Sequence, residues 1–278
     1  MEVTLITLSE NSVSKPGFLS EWGLSILVQV DQTKILFDTG GSNILIENAR
    51  NLGVDLSKVD KIVLSHGHAD HTGGLRDVLK STGEVEIIAH PNIWEAKYTK
   101  RFGENKATYI GIPYIKEELE YLGANFTYSK ESVAITNKIL TTGEIEMLND
   151  FEEIESNLYI KEKGELKPDP FHDDLSLIVK TEKGLIIILG CAHKGIINHI
   201  WHAQKITGEN RIYAVVGGTH LGLATDKRID NTINELKKLK VKQIGVSHCT
   251  GFHASARLAQ EFPGEFFLNN AGTFRKLL

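Results

Sequence analysis

The 278-residue sequence holds no apolar stretch approaching the roughly 20 residues that a membrane-spanning helix needs. Its first residues, "MEVTLITLSENSVS", lack the basic start and apolar middle of a secretory leader, so a soluble, cytoplasmic protein is expected. Cysteine is scarce. Cys191 and Cys249 could pair, but each stands beside a histidine, in "GCAH" and "SHCTG", and free thiols near a metal are expected instead of a bridge. No run of Lys and Arg exceeds short patches such as "KKLKVK", and the formal net charge is −5. A nucleic-acid partner would call for a basic face, so that class is set aside. No low-complexity linker divides the chain.

What is present is abundant apolar, β-branched material, 41% hydrophobic against 24% charged, enough for a sizeable core. Short runs such as "VTLITL", "LSILVQV", "KIVLSH", "VEIIAH", "LSLIVK", "GLIIILGC", "IYAVVGG" and "VKQIGVSHC" read as strands. Several are continuous instead of alternating, as strands covered on both faces should be. "KGIINHIWHAQKI" and "DKRIDNTINELKKL" carry helical stripes, the second through Ile229, Ile233, Leu236 and Leu239. Strands mixed with helices predict an α/β layered domain spanning residues 1–278. The charged segment from about Pro91 to Pro168 is taken as an insertion or cap, with helices expected over "PNIWEAKYTKRFGENK" and "KEELEYLGA". His199 and His202 fall in the first helical stripe and are expected at the surface.

Reactive residues recur where strands end: Asp38, His66, Cys191, His220 and His248. In layered α/β folds, ligand sites gather at the carboxyl ends of strands, so these residues predict one shared rim. The densest motif is "LSHGHADHTGG", residues 64–74. Imidazole and carboxylate suit zinc and related divalent ions. His66 and His68 alternate along the chain, while Asp70 and His71 follow where it turns into a helix, so two adjacent ions are favoured over one. A histidine-rich loop without metal is the bland alternative.

"HGHADH" preceded by "FDTG" resembles the metallo-β-lactamase superfamily, with its HxHxDH signature and four-layer αββα sandwich. "GGLRDVLK", "AHPNIW", "TTGEIE", "DDLSLIVKTEKGLIIILGCAHKGIINHI", "VVGGTHL" and "SHCTG" resemble the branch related to 7,8-dihydropterin-6-methyl-4-(β-D-ribofuranosyl)aminobenzene-5′-phosphate synthase. The resemblance implies that His66 and His68 hold a first ion, and that Asp70, His71 and His248 hold a second. His193 is preferred as the remaining ligand of the first ion, and His172 competes for that place. Asp38 resembles an aspartate that orients a ligand histidine without binding metal itself. Much of the superfamily carries an aspartate where this chain has Cys191. A thiolate there would favour zinc or iron over manganese or magnesium, and a buried, inert cysteine is the alternative.

The implied chemistry is hydrolysis, since such ions activate water near neutral pH and polarise the bond attacked. Asp70 would orient the attacking group, and His220 would face the substrate as an acid or a phosphate contact. His253 could do similar work. The expected cofactor is zinc, two ions, with iron or manganese compatible. The expected partner is a small-molecule substrate, with a phosphorylated one compatible, and a homo-oligomer is compatible. Three other readings stay open: a pterin-pathway synthase or transferase, an iron-dependent oxidoreductase and a non-catalytic metal-bound sensor.

Overall fold

The computed structural model describes residues 1–13, 15–100 and 106–278. The first part of the chain supplies β1 (Val3–Ser9), β2 (Ser25–Val30), β3 (Thr33–Phe37), α1 (Ile44–Asn51), β4 (Lys61–Val63), α2 (Ala69–Thr72), α3 (Leu75–Thr82) and β5 (Val85–Ala89). The middle supplies β6 (Lys97–Thr99), β7 (Thr108–Tyr109), α4 (Lys116–Tyr121), β8 (Ala124–Tyr128), β9 (Ile139–Thr141), β10 (Leu158–Glu162) and β11 (Glu165–Pro168). The last part supplies β12 (Ser176–Thr181), β13 (Gly184–Leu189), α5 (Ile196–Thr207), β14 (Ile212–Gly218), α6 (Asp226–Leu239), β15 (Gln243–Ser247), α7 (Phe252–Glu261), β16 (Phe266–Leu268) and β17 (Phe274–Lys276).

Among the described residues three sheets form. A seven-stranded sheet runs β17-β1-β2-β3-β4-β5-β8, and a six-stranded sheet runs β16-β15-β14-β13-β12-β9. Three apolar clusters show how they stack. Ile62 and Ile87 of the first sheet pack with Leu45 and Val78 of α1 and α3. Ile187 and Leu189 of β13 pack with Ile200 of α5 and Ile233 of α6. Between the sheets, Phe37 and Val63 meet Ile186, Ile188 and Val216. The result is the expected αββα order. β13 explains the continuous apolar pattern: alternate residues of "GLIIIL" face the helices and the opposite sheet, and all six are buried.

The segment expected to form a cap is divided. β6, β7, β10 and β11 make a separate four-stranded sheet, but β8 and β9 are edge strands of the two main sheets. Over the described residues 91–100, the helix expected across "PNIWEAKYTKRFGENK" does not form. Pro91–Trp94 is a single 3-10 turn whose Asn92 N–H donates to His90 Nδ1 at 3.1 Å, and the chain then extends into β6. The remainder of that expectation, residues 101–105, lies outside the described residues. "KEELEYLGA" does give α4. No helix among the described residues is long and apolar enough to cross a membrane.

His199 and His202 are buried, contrary to expectation. The stripe of α5 identifies its core face, but other sides are covered too: Glu152 accepts from the Ile197 and Asn198 N–H groups at 2.9 and 2.8 Å at the helix start, and His202 Nε2 meets the Thr142 carbonyl at 3.2 Å just after β9. His199 then bonds Ser176 Oγ at 2.6 Å and Asp174 at 3.1 Å.

The small sheet is anchored by a charge. Lys97 on β6 is fully buried, and its ammonium donates to Asp169 at 2.8 Å and to Asp173 at 2.9 Å. Burial opposes its charge, yet the two carboxylates outweigh this and hold its pKa up. Asp173 also accepts the Gly67 N–H at 2.8 Å, so the anchor reaches the loop between His66 and His68. Lys97→Met should strand two buried carboxylates and cost about 3–5 kcal/mol of stability, read from urea unfolding; a loss within experimental error would show the pairing to be dispensable.

Candidate metal centre

The strand ends do converge. Asp38 follows β3, His66 follows β4 and Cys191 follows β13, while His220 and His248 follow β14 and β15. Two sheets therefore deliver their carboxyl ends to one rim. Contact there is close: a Cβ on Gly190 would lie 2.1 Å from Ser65 Oγ, so only glycine lets β13 approach the loop after β4. Of the eight non-glycine residues with left-handed φ among the described residues, five surround this rim: Asp38, Phe171, Ala192, His220 and His248. Such conformations cost energy and cluster where side chains must be aimed.

Two groups of donor atoms result. His66 Nε2 lies 3.1 Å from His68 Nδ1 and 3.3 Å from His193 Nε2. Nearby, His71 Nε2 and Asp70 Oδ2 each lie 3.3 Å from His248 Nε2. These separations match the roughly 3.3 Å edge of a tetrahedral zinc shell. Cys191 stands between the groups, its Sγ 3.2 Å from His71 Nε2, and it forms a compact donor cluster with His66 and His71. The cysteine thus occupies the place between the two triads. No disulfide forms; both cysteines are free.

Each triad is oriented from behind. Asp38, fully buried, contacts His71 Nδ1 at 2.7 Å and accepts from both the backbone N–H and the Oγ of Ser65 at 2.7 Å. Ser65 Oγ in turn meets His66 Nδ1 at 2.8 Å. His248 is set by the loop after β1: its N–H donates to Glu10 at 2.6 Å and its Nδ1 meets Asn11 Oδ1 at 2.8 Å. Phe171 stacks on His193, with ring centroids 3.8 Å apart.

Electrostatics separate the triads. Burial, reinforced by neighbouring cationic groups, pushes the pKa values of His66 and His193 well below 6.5. Burial does the same to His68, against the pull of Asp70. Three neutral imidazoles thus converge with lone pairs available, and His68 Nε2 and His193 Nδ1 are buried without a partner. In the second triad burial opposes charge on both groups, but their attraction wins. His71 rises to about 9 through Asp38 and Asp70, and Asp70 is driven far below the usual carboxylate range through His71 and His248. Burial pushes the Cys191 thiol up. A coordinating cation would invert that preference. Nitrogen, carboxylate and sulfur donors at these spacings fit zinc or a similar divalent ion.

A family model described as the metallo-beta-lactamase superfamily matches residues 23–205. The chain belongs to this superfamily. It is 37% identical over 286 aligned residues to the 7,8-dihydropterin-6-methyl-4-(beta-D-ribofuranosyl)-aminobenzene-5′-phosphate synthase of Methanocaldococcus jannaschii, covering 99% of this chain and 96% of that protein. The crystal structure of Tm1679, described as a metal-dependent hydrolase of the beta-lactamase superfamily, superimposes with a TM-score of 0.85 at 30% identity, over 98% of each chain. Zinc-bound PqqB from Methylobacterium extorquens shares the fold alone, with a TM-score of 0.57 and 11% identity over 98% of this chain and 99% of that one.

Within this metallo-β-lactamase fold, the position of the third histidine beside His66 and His68 goes to His193. His172 lies outside the clusters, its side chain 48% exposed, because the neighbouring Phe171 turns inward in its place. His220 sits at the rim, its ring centroid 4.1 Å from that of His193 and its Nδ1 2.9 Å from Glu155. His253 is exposed on α7 and pairs with Asp226, away from the rim. Glu155, Ser65, Asn11 and Glu10 went unnoticed in the sequence, where isolated polar residues carry no spacing signal. Cys249 was noticed only as a thiol beside a histidine; its Sγ accepts the His220 N–H at 3.3 Å.

The Asp38–His71 pair carries a pH signature in chelator-treated protein. His71 has a folded pKa raised above 6.5, so its contribution is complete below about 6.5 and is lost as pH rises through about 9. The stability gap between wild type and Asp38→Asn should therefore shrink over that window, by on the order of 2–3 kcal/mol. Denaturant melts at pH 6 and pH 9.5 check this; a constant gap would contradict a charged His71.

Proposed function

We propose that this superfamily member is a metal-dependent hydrolase with a two-zinc centre, acting on an ester or phosphodiester bond of a small, phosphate-bearing substrate. The observation that carries the reading is the pair of donor triads with 3.1–3.3 Å spacings and Cys191 between them. In this reading His66, His68 and His193 hold one ion, and Asp70, His71 and His248 the other. Bound divalent ions supply Lewis-acid polarisation and activate water near neutral pH.

The protein's own groups then divide the work. The side chain of Asp70, at 22% exposure the most open member of its triad, offers an acceptor oxygen that orients the attacking water. Asp38 fixes the ring of His71, and Ser65 that of His66, so neither imidazole rotates as charge develops. His220, whose pKa is raised by proximity to Cys249 and by its contact with Glu155 despite burial, is placed to contact a phosphate or protonate a leaving group. Unbridged thiols accord with a reducing, cytoplasmic setting.

A second reading has its own support. The 37% identity to a protein named as a synthase favours formation of a product that joins a dihydropterin to a ribofuranosyl-aminobenzene phosphate. Product analysis separates them: hydrolysis releases free acid and alcohol, whereas condensation consumes both partners.

Protein purified without added metal should carry close to two zinc ions per chain by elemental analysis and should cleave bis(p-nitrophenyl) phosphate. His68→Ala should lower the metal content and cut turnover by at least about a hundredfold. Iron with oxygen consumption, or turnover that survives His68→Ala, would sink the hydrolase reading. Cys191→Asp should keep the fold while shifting metal preference from zinc towards manganese, measured by competition between the two ions; an unchanged preference would remove Cys191 from the metal shell.

A further inference from the structure

Beside the metal centre lies a cavity of about 600 Å³ whose walls include His220, His248 and Cys249. Its other walls combine polar residues, among them Glu10, Asn11 and Glu155, with large apolar ones. Trp22, Leu223, Phe252 and Leu268 all line it, and they are 66%, 81%, 89% and 54% exposed. Single exposed apolar residues are ordinary, but four large ones around one concavity next to reactive groups mark a binding surface. Their placement is built into the backbone. Gly222 and Gly251 pack so closely that a Cβ on Gly251 would lie 2.8 Å from Gly222 Cα, which brings the loop of Leu223 against the start of α7 at Phe252. On the first sheet's side, the Trp22 ring lies 5.1 Å from that of His248.

We infer that this cavity seats a planar aromatic or heteroaromatic ring of the substrate, held against Trp22 and Phe252, while the scissile group reaches the metal centre. Indole and phenyl faces gain more from a flat π-system than from an alkyl group of similar area. A second copy of the chain fits less well, because these side chains rim a concavity that includes polar, reactive residues.

The inference rests on the hydrolase reading, since its probes anchor at the metal ions. Phenylphosphonate and methylphosphonate present the same anion with and without a ring. Calorimetric titration of the metal-loaded protein should give at least about tenfold tighter binding of phenylphosphonate. Trp22→Ala and Phe252→Ala should each erase most of that advantage without the same loss for methylphosphonate, and Trp22→Phe should restore it. Metal content and circular dichroism accompany each variant. Equal affinities, no binding of phenylphosphonate, or an advantage kept in both alanine variants would overturn the inference. So would a wild-type dimer in sedimentation that Trp22→Ala dissociates, which would give the patch to a second copy. A chain that holds no metal and cleaves no phosphodiester fails the hydrolase reading itself, whereas equal affinities in a metal-loaded, active protein fail only the ring inference.

Discussion

One buried carboxylate organises the site. Asp38 sits at the end of β3 in a left-handed conformation, and its two oxygens reach His71, the Ser65 backbone and the Ser65 hydroxyl that touches His66. It therefore sets one histidine of each triad from a single point. A carboxylate without exposure is costly unless its lone pairs are filled, and here they are. The arrangement also resolves a conflict. Imidazole nitrogens that face one another with no proton between them lose solvation and gain no mutual bond. The surrounding sheets bring their nitrogens to one point, and such convergence of donors is what a tight metal site requires.

Cys191 changes the character of the centre. A carboxylate in its place would be a hard, charged acceptor, whereas the thiol sits in apolar surroundings that resist its ionisation. In the proposed reading, a thiolate at this point would favour softer ions. Around it the middle of the chain contributes more than a lid. Lys97 braces the His66–His68 loop through Asp173, Glu155 holds His220, and Glu152 covers the start of α5.

Much of this was legible from particular residues. The unbroken "LIIIL" run indicated a strand covered on both faces, because alternation disappears when neither face meets water. "HGHADH" indicated metal because its donors recur at spacings that a strand end followed by a helix can bring together. What failed did so for identifiable reasons. The stripe of α5 revealed one buried face, but nothing local showed that Asp174 and Ser176 would meet His199 or that Thr142 would meet His202, so both histidines were misplaced. Pro91 and the extended chain after it ended a helix that composition alone had favoured. The place of His193 between a strand end and a helix favoured it over His172, but nothing local showed that Phe171, and not His172, would turn inward against it.

The sequence by itself determined the layers, the strand ends that carry chemistry and the family to which the chain belongs, because these rest on periodicity and on motifs confined to a few neighbouring residues. Only the tertiary structure decided that His193 joins His66 and His68, that Cys191 stands between two triads, and that Trp22 and Phe252 line one cavity. Those facts depend on two sheets meeting at a rim, and residues more than 100 positions apart leave no periodic trace of their contact.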